Sequence, residues 1–310
     1  MRQERRAAVK RYALLGVAGY VAPKHLQAIR ETGGELVAAC DPHDSVGVLD
    51  RYFPRCRYFP EIERFERHLD RLRRDGEAVD FVSICTPSYL HDAHCRLALR
   101  NGAHAICEKP LVLKPANLAA LEAVERETDR RVFPILQLRH SAALRDLRQR
   151  VLNGDQKLAV QLDYVTYRGP WYDQSWKGRA GQSGGLLTNI GVHLFDLLVW
   201  MFGAPAAGAP LVVEGAERTL RGRLKLPRAD VLWMLSLDHA ALPRASVERG
   251  DTAWRRLTAD GLFSEQLEDF GDLHTEAYRA ILKGEGLRID DVRPSLELVA
   301  RLRRMAEERT

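Results

Sequence analysis

The sequence predicts an α/β protein in two parts. A parallel sheet flanked by helices occupies about residues 1–140, and an α+β domain with a mostly antiparallel sheet occupies about residues 141–310. Three observations carry this expectation. Short β-type apolar runs alternate with helical patterns through the first part, the signature of a parallel sheet covered by helices. Beyond about residue 155 the rhythm changes to alternating strands, which suits an antiparallel sheet. A chain of 310 residues also exceeds the roughly 250–300 at which a single core stops growing.

Taken in order, the strands fall at Tyr12–Leu15, Leu36–Asp41, Phe81–Thr86, Ala103–Cys107 and Val132–Leu138, with a weaker one near Tyr58. Between them lie helices such as Leu90–Asn101, closed by Gly102, and Pro115–Glu127, opened by a proline in its first turn. The second part holds strands at Leu158–Tyr167, Arg221–Leu226 and Val231–Leu237 and a long apolar helix around Thr188–Met201. It ends in helices near Leu273–Lys283 and Pro294–Glu308, and the last helix is placed to fold back on the first domain. No internal repeat or low-complexity linker interrupts the pattern.

With 45% hydrophobic and 29% charged residues, the composition is that of an ordinary globular protein. The net charge of +5 raises anionic partners, but arginines such as Arg145, Arg148, Arg150, Arg301, Arg303 and Arg304 are spread along helical faces. No DNA- or RNA-reading module accompanies them, so no nucleic-acid partner is expected. The five cysteines form no CxxC pair and read as reduced structural thiols. The basic start and the apolar stretch Tyr12–Val21 resemble a leader, yet Gly16 and Gly19 and the βαβ pattern that follows make it the first strand. The stretch Leu186–Phe202 carries Asn189, His193 and Asp196 and is too polar to span a bilayer. A cytoplasmic protein with no membrane partner is therefore expected.

Three segments carry chemistry. The first is Gly16-Val17-Ala18-Gly19 between the first strand and a helix, with Asp41 closing the second strand. In a Rossmann unit small residues at this turn let the backbone approach a pyrophosphate at a helix N-terminus, and the acid binds the adenosine ribose hydroxyls. A carboxylate there repels a 2′-phosphate, which favours NAD over NADP. The second is Glu108-Lys109-Pro110 at the end of the fifth strand, where the carboxyl edge of a parallel sheet opens onto a ligand crevice. An ammonium there can orient a sugar hydroxyl or stabilise developing negative charge, although an isolated EKP tripeptide is equally an exposed loop.

The third runs from Gly184-Gly185 through Asn189, Gly191, His193 and Asp196. If the segment is already helical at Asn189, that residue and His193 stand one turn apart on one face. By burial habit alone, a histidine on an apolar helix is more often a satisfied core residue than a catalyst. Earlier in the chain, His91, His94 and Cys95 have metal-ligand chemistry at helical spacing, but no fourth ligand clusters with them and hydride transfer to a nicotinamide needs no Lewis acid. No metal is expected; His91 is placed near the cofactor and His94 near the surface.

Taken jointly, the glycine turn, Thr86-Pro87 with His91, Glu108-Lys109-Pro110 and Gly-x-His-x-x-Asp at 191–196 resemble, end to end and in order, the glucose-fructose oxidoreductase and inositol dehydrogenase (Gfo/Idh/MocA) family. The segments 16–25, 41–47, 107–111 and 168–178 and Asp272-Leu273-His274 resemble one branch of it. That branch oxidises the 3-hydroxyl of UDP-N-acetylglucosaminuronic acid with NAD during synthesis of diacetamido-uronic acids for surface polysaccharide, and its members are tetramers with an open-faced second sheet. The resemblance implies a Rossmann domain, NAD as cofactor, a homotetramer and a catalytic pair, Lys109 and His193.

It further implies that Gly16, Ala18, Gly19, Tyr20, Val21 and Asp41 contact the cofactor. Thr86, Pro87, Ser88, His91, Glu108, Lys109 and Gln137 complete that set. Substrate contacts fall to Arg168, Trp176, Lys177, Asn189 and Tyr20, with Arg168 and Lys177 reading a diphosphate or carboxylate. The alternative for the segment 168–177 is a cap on a sheet edge, since tryptophan is usually a packing residue. Many family members carry aspartate where this chain has Asn189; an amide cannot supply that charge to His193, which shifts the acid/base role toward Lys109. Two other readings of the chain are an enzyme of the same family acting on a free polyol or simple sugar, and a sensor that binds NAD without turning over.

Overall fold

The computed structural model describes residues 9–216, 218–259, 262–266 and 273–308. The chain divides into two compact units: 1–111 with 116–135 and 272–289, and 112–115 with 136–271 and 290–310. The first unit thus recruits a segment from far along the chain, and the helix that ends the chain groups with the second.

The first unit is built on a six-stranded parallel sheet: β1 (Arg11–Leu15), β2 (Glu35–Cys40), β3 (Arg57–Phe59), β4 (Phe81–Ile84), β5 (His104–Cys107) and β6 (Val132–Pro134). Their order across the sheet is β3-β2-β1-β4-β5-β6. The order reverses between β1 and β4, so the loops leaving those two strands diverge and open a crevice at the carboxyl edge. Strand β6 ends at Pro134, short of the Leu138 expected from sequence, because the chain turns into a 3₁₀ segment at Gln137–His140.

Helix Ala22–Glu31 starts with a proline in its first turn and buries Ala22, His25, Leu26 and Ile29, a stripe spaced three and four apart. Helix Leu273–Leu282 buries His274, Ala277, Tyr278 and Ile281 with the same spacing. Both stripes join one core with Tyr12, Leu14 and Ile106. In each stripe a histidine occupies a position where an aliphatic side chain would ordinarily sit.

The second unit carries the strands β7 (Leu158–Thr166), β8 (Leu211–Ala216), β9 (Thr219–Lys225), β10 (Ala229–Ser236), β11 (Ala253–Ala259) and β12 (Phe263–Gln266), in the order β12-β11-β7-β10-β9-β8. Only β7 and β10 run parallel; the other pairs are antiparallel. One face, with Leu162, Tyr164, Trp233, Leu235 and Leu257, is buried and carries an edge contact between Phe195 and Trp233. On the other face Gln161, Arg221, Arg223 and Leu232 are exposed.

The apolar stretch expected as one helix is two, Gly185–Asn189 and Val192–Phe202, and the helical segment Ala180–Asn189 meets the second at a 42° bend. Gly191 marks the bend, where a Cβ would lie 2.5 Å from the Leu187 carbonyl oxygen and 2.9 Å from Leu235. Only glycine allows this approach to the sheet. No single helix among the described residues is long and apolar enough to cross a membrane.

Candidate active site

The crevice of the first unit is shaped by backbone proximity. Gly16 leaves β1 with φ +86°, and its N–H donates to the Cys40 carbonyl at 2.8 Å. A Cβ on Gly16 would lie 2.7 Å from the Cys85 carbonyl carbon, and one on Gly19 would lie 3.0 Å from the Gly16 oxygen. Asp41 braces the turn: Oδ2 accepts from the Ala18 N–H at 3.0 Å and Oδ1 from the His43 N–H at 2.9 Å. A glycine cradle that a Cβ would fill, followed by a helix N-terminus, with an acid at the end of β2, fits a dinucleotide pyrophosphate and ribose. Tyr20, in the loop just before the helix, is exposed and Val21 precedes the helix's first residue.

Gly16→Ala should therefore weaken NAD binding by at least ~10-fold, because both the positive φ and the contact with Cys85 oppose a side chain. Calorimetric titration of NAD checks this; parent-like affinity would remove the glycine turn from the cofactor site.

The loops after β4 and β5 are tied by His91, whose Nδ1 faces the Pro110 carbonyl at 2.7 Å and whose Nε2 faces the Thr86 carbonyl at 2.8 Å. Burial depresses its pKa, while the two carbonyls pull the other way. His94 is not at the surface, as expected from sequence, but buried, with Nδ1 2.9 Å from the Thr86 hydroxyl, and burial lowers its pKa to about 4. These two rings serve to hold the loop through Thr86, Pro87 and Ser88. Ser88 is buried and Thr86 and Pro87 are half-buried.

Glu108 is buried and anchored at both oxygens. Its Oε1 accepts from His25 Nε2 at 3.0 Å and from His274 Nε2 at 2.9 Å, and its Oε2 from the Lys109 backbone N–H at 3.1 Å. Burial alone would push its pKa up; the two histidine hydrogen bonds outweigh it and hold the carboxyl well below the usual range. Lys109 follows, half-buried, two residues beyond the end of β5. The histidine and carboxylate atoms of this trio lie within 4.8 Å of one another and form a set that could hold a metal ion.

In the second unit, His193 opens helix Val192–Phe202 and sets its ring edge-on to Tyr164 at 5.7 Å. The Arg255 guanidinium stacks over the same tyrosine at 4.9 Å, with Nε buried and without a hydrogen-bond partner among the described residues. Asn189 lies across the bend from His193, so helical spacing does not set the two side by side; its amide donates to the Tyr172 hydroxyl at 2.8 Å. Asp196 is committed elsewhere. It takes a two-point ion pair from Arg139 at 2.6 and 2.8 Å and a hydrogen bond from Ser295 at 2.7 Å. Gln137, expected at the cofactor, belongs to the second unit and has Oε1 buried without a partner among the described residues.

The loop after β7 presents Arg168, Trp171, Trp176 and Lys177. Lys177 Nζ lies 5.5 Å from the ring of Trp171 and 5.9 Å from that of Trp176. Burial, and then the charge of Arg168, lowers its pKa. Arg218 pins the loop by pairing with Asp173 at 2.6 Å and Asp238 at 2.8 Å and donating to the Arg168 carbonyl. Among the described residues Arg168, Lys177 and Arg255 have no carboxylate partner. Sequence reading missed His25, Tyr164, Tyr172, Arg218, Arg255 and Tyr278 as members of these constellations. Only the spacing of His274 and Tyr278, four apart on an otherwise apolar stripe, offered a signal.

The fold and the site together define an NAD-binding oxidoreductase, and the chain belongs to the Gfo/Idh/MocA oxidoreductase family. Residues 10–135 match its NAD-binding Rossmann domain and residues 150–214 its C-terminal alpha/beta domain. The chain is similar, at 44% identity and TM-score 0.91 over 95% of both chains, to the WlbA (WbpB) dehydrogenase of Thermus thermophilus. That protein has been solved with NAD and alpha-ketoglutarate and with NAD and UDP-GlcNAcA. This chain is also 27% identical over 234 residues to an inositol 2-dehydrogenase of Leifsonia xyli and 27% over 213 residues to a 1,5-anhydro-D-fructose reductase of Ensifer adhaerens. These matches cover 74% and 67% of this chain and span 63% and 61% of those relatives.

Proposed function

We propose that the chain oxidises the 3-hydroxyl of UDP-N-acetylglucosaminuronic acid to the 3-keto sugar, in a cytoplasmic route to surface polysaccharide. One observation carries the substrate class. Three cations have no carboxylate partner among the described residues: Arg255 stacks over Tyr164, Arg168 lies close enough to act on both Tyr164 and Tyr172, and Lys177 is near Arg168. Cations left unpaired and half-buried in one place suit an anionic ligand, and guanidinium groups suit the planar, two-point geometry of carboxylate and phosphate. The similarity to a dehydrogenase solved with UDP-GlcNAcA supports the same class.

NAD supplies the hydride acceptor. Gly16, Ala18, Gly19 and Asp41 hold it, with Thr86, Pro87 and Ser88 bordering the site. Lys109 and His193 handle the hydroxyl proton, with Lys109 as the acid/base: Asn189 offers only an amide, bound to Tyr172, and Asp196 is held by Arg139 and Ser295. Trp176, Asn189 and Tyr20 are assigned to the sugar nucleotide. The relationship to an inositol dehydrogenase favours a free polyol as a second reading, but a polyol leaves the three cations without a counter-charge. The open face of the second sheet, with Gln161, Arg221, Arg223 and Leu232 exposed, is assigned as the subunit contact of a proposed homotetramer.

The test is NADH formation by purified protein with NAD and UDP-N-acetylglucosaminuronic acid, with UDP-N-acetylglucosamine and myo-inositol as controls. Turnover confined to the uronate is expected; turnover with myo-inositol alone would overturn the reading. Arg168→Ala should raise KM for the uronate ~10- to 100-fold with little change in kcat, the loss of one or two charge-assisted hydrogen bonds.

A further inference from the structure

We propose that His25 and His274 are positioning residues for the reaction. They clamp the Glu108 carboxylate from two helices, and through it fix the main chain of Lys109. The inference rests on the reading of Lys109 as the acid/base. The proton count follows from the partners. Glu108 Oε1 meets the Nε2 of both rings, at 3.0 and 2.9 Å, and a carboxylate only accepts, so both Nε2 atoms carry hydrogen. Burial lowers the pKa of His25, which favours the neutral ring, and with hydrogen on Nε2 its Nδ1 is then an acceptor. The Tyr278 hydroxyl meets that Nδ1 at 2.8 Å and donates to it. Ser83 then donates to the Tyr278 oxygen at 2.6 Å.

Among the described residues His274 Nδ1 is buried with no partner, which suits a ring protonated at Nε2 alone, since a second proton there would be a donor without an acceptor among them. The hydrogen bonds thus run in one direction from Ser83 through Tyr278 and His25 to Glu108.

The carboxylate is used at one place. The free side of the carboxylate, Oε2, accepts the Lys109 N–H at 3.1 Å. A carboxylate with one oxygen gripped by two rings cannot swing about its Cγ–Cδ bond, so it fixes the peptide plane from which the Lys109 side chain departs. The rings are themselves fixed: His25 and His274 pack edge to face at 5.1 Å, and Tyr278 packs on His25 at 5.7 Å. The two histidines sit at core positions of their helices, where a leucine would contribute burial without the cost of desolvating an imidazole. Polar groups kept in such positions, fully satisfied toward one carboxylate, specify a geometry.

The experiment uses the full chain loaded with NAD and two variants, His274→Leu and His274→Gln, beside Lys109→Ala. Exchange of the Lys109 backbone amide, followed by mass spectrometry or NMR, needs no substrate. His274→Leu should speed that exchange and, with UDP-N-acetylglucosaminuronic acid, lower kcat ~10- to 100-fold with KM for NAD unmoved, the scale of an ångström-sized misplacement. His274→Gln, whose amide offers an N–H to Oε1, should restore much of both. Tyr278→Phe, which removes only the hydroxyl that donates to His25 Nδ1, gives a milder version of the same loss if His274→Leu fails to fold. Unchanged amide exchange in folded His274→Leu or Tyr278→Phe would overturn the clamp. So would one equivalent of a transition metal in the purified protein, since an ion would replace both Nε2 protons. If Lys109→Ala turns over like the parent, the acid/base reading fails while the exchange result still decides the clamp.

Discussion

Lys109→Ala should lower kcat for oxidation of the sugar nucleotide by ~10²- to 10⁴-fold, the usual worth of a positioned proton acceptor. Its thermal unfolding should stay near that of the parent, and its NAD affinity should fall far less than its kcat. The separation is expected because the glycine turn and Asp41 hold their geometry without the Lys109 side chain, and the carboxylate clamp reaches only its backbone N–H. Lys109→Arg sharpens the test. A guanidinium keeps the charge but does not give up its proton near neutral pH, so it rescues an electrostatic role and fails to rescue an acid/base one. Steady-state NADH formation across both variants reads the difference. A Lys109→Ala enzyme with parental kcat would move the proton to His193, and His193→Ala would then be the variant that loses turnover.

The part of this site that sequence alone made visible is the part set by local backbone. Gly16 and Gly19 announce a tight turn, Asp41 stands at the end of β2, and Glu108-Lys109-Pro110 follows β5, because strand ends and glycine turns are written within a few residues of each other. The order of the parallel sheet follows from strand-helix alternation for the same reason. What sequence did not show depends on contacts between distant residues. Nothing near His25 says that its ring will meet Glu108, or that Tyr278, 253 residues later, will supply its proton.

The apolar run through Asn189 and His193 reads as one helix because periodicity is blind to the approach of Gly191 to Leu235, which breaks it in two. Arg255 carries no local signal at all. It matters only because β11 pairs with β7 in a register that puts Arg255 opposite Tyr164.

Asp196→Ala should destabilise the second unit by ~3–5 kcal/mol, because it strands the guanidinium of a pair buried on both sides. Arg139 and Asp196 are 9% and 2% exposed at the side chain, and Arg139 also donates to the Asp291 carbonyl. Removing the carboxylate leaves a buried cation with one backbone acceptor, and Ser295 loses its partner as well. At ~2–4 °C per kcal/mol for a unit of this size, the second unit's unfolding temperature should fall by roughly 6–20 °C. Arg139→Met with Asp196→Leu should recover much of that loss, since an apolar pair of similar volume removes the desolvation cost together with the charge.

The consequence for activity follows from the helix. Asp196 stands three residues after His193 in Val192–Phe202, so the pair fixes the turn that carries the histidine. Activity of Asp196→Ala should fall in step with unfolding of the second unit, and the double variant should regain it, as differential scanning calorimetry beside the NADH assay would show. A double variant that is stable yet inactive would mean that Asp196 acts on the reaction directly, and a single variant that melts with the parent would mean that the buried pair does not hold the helix.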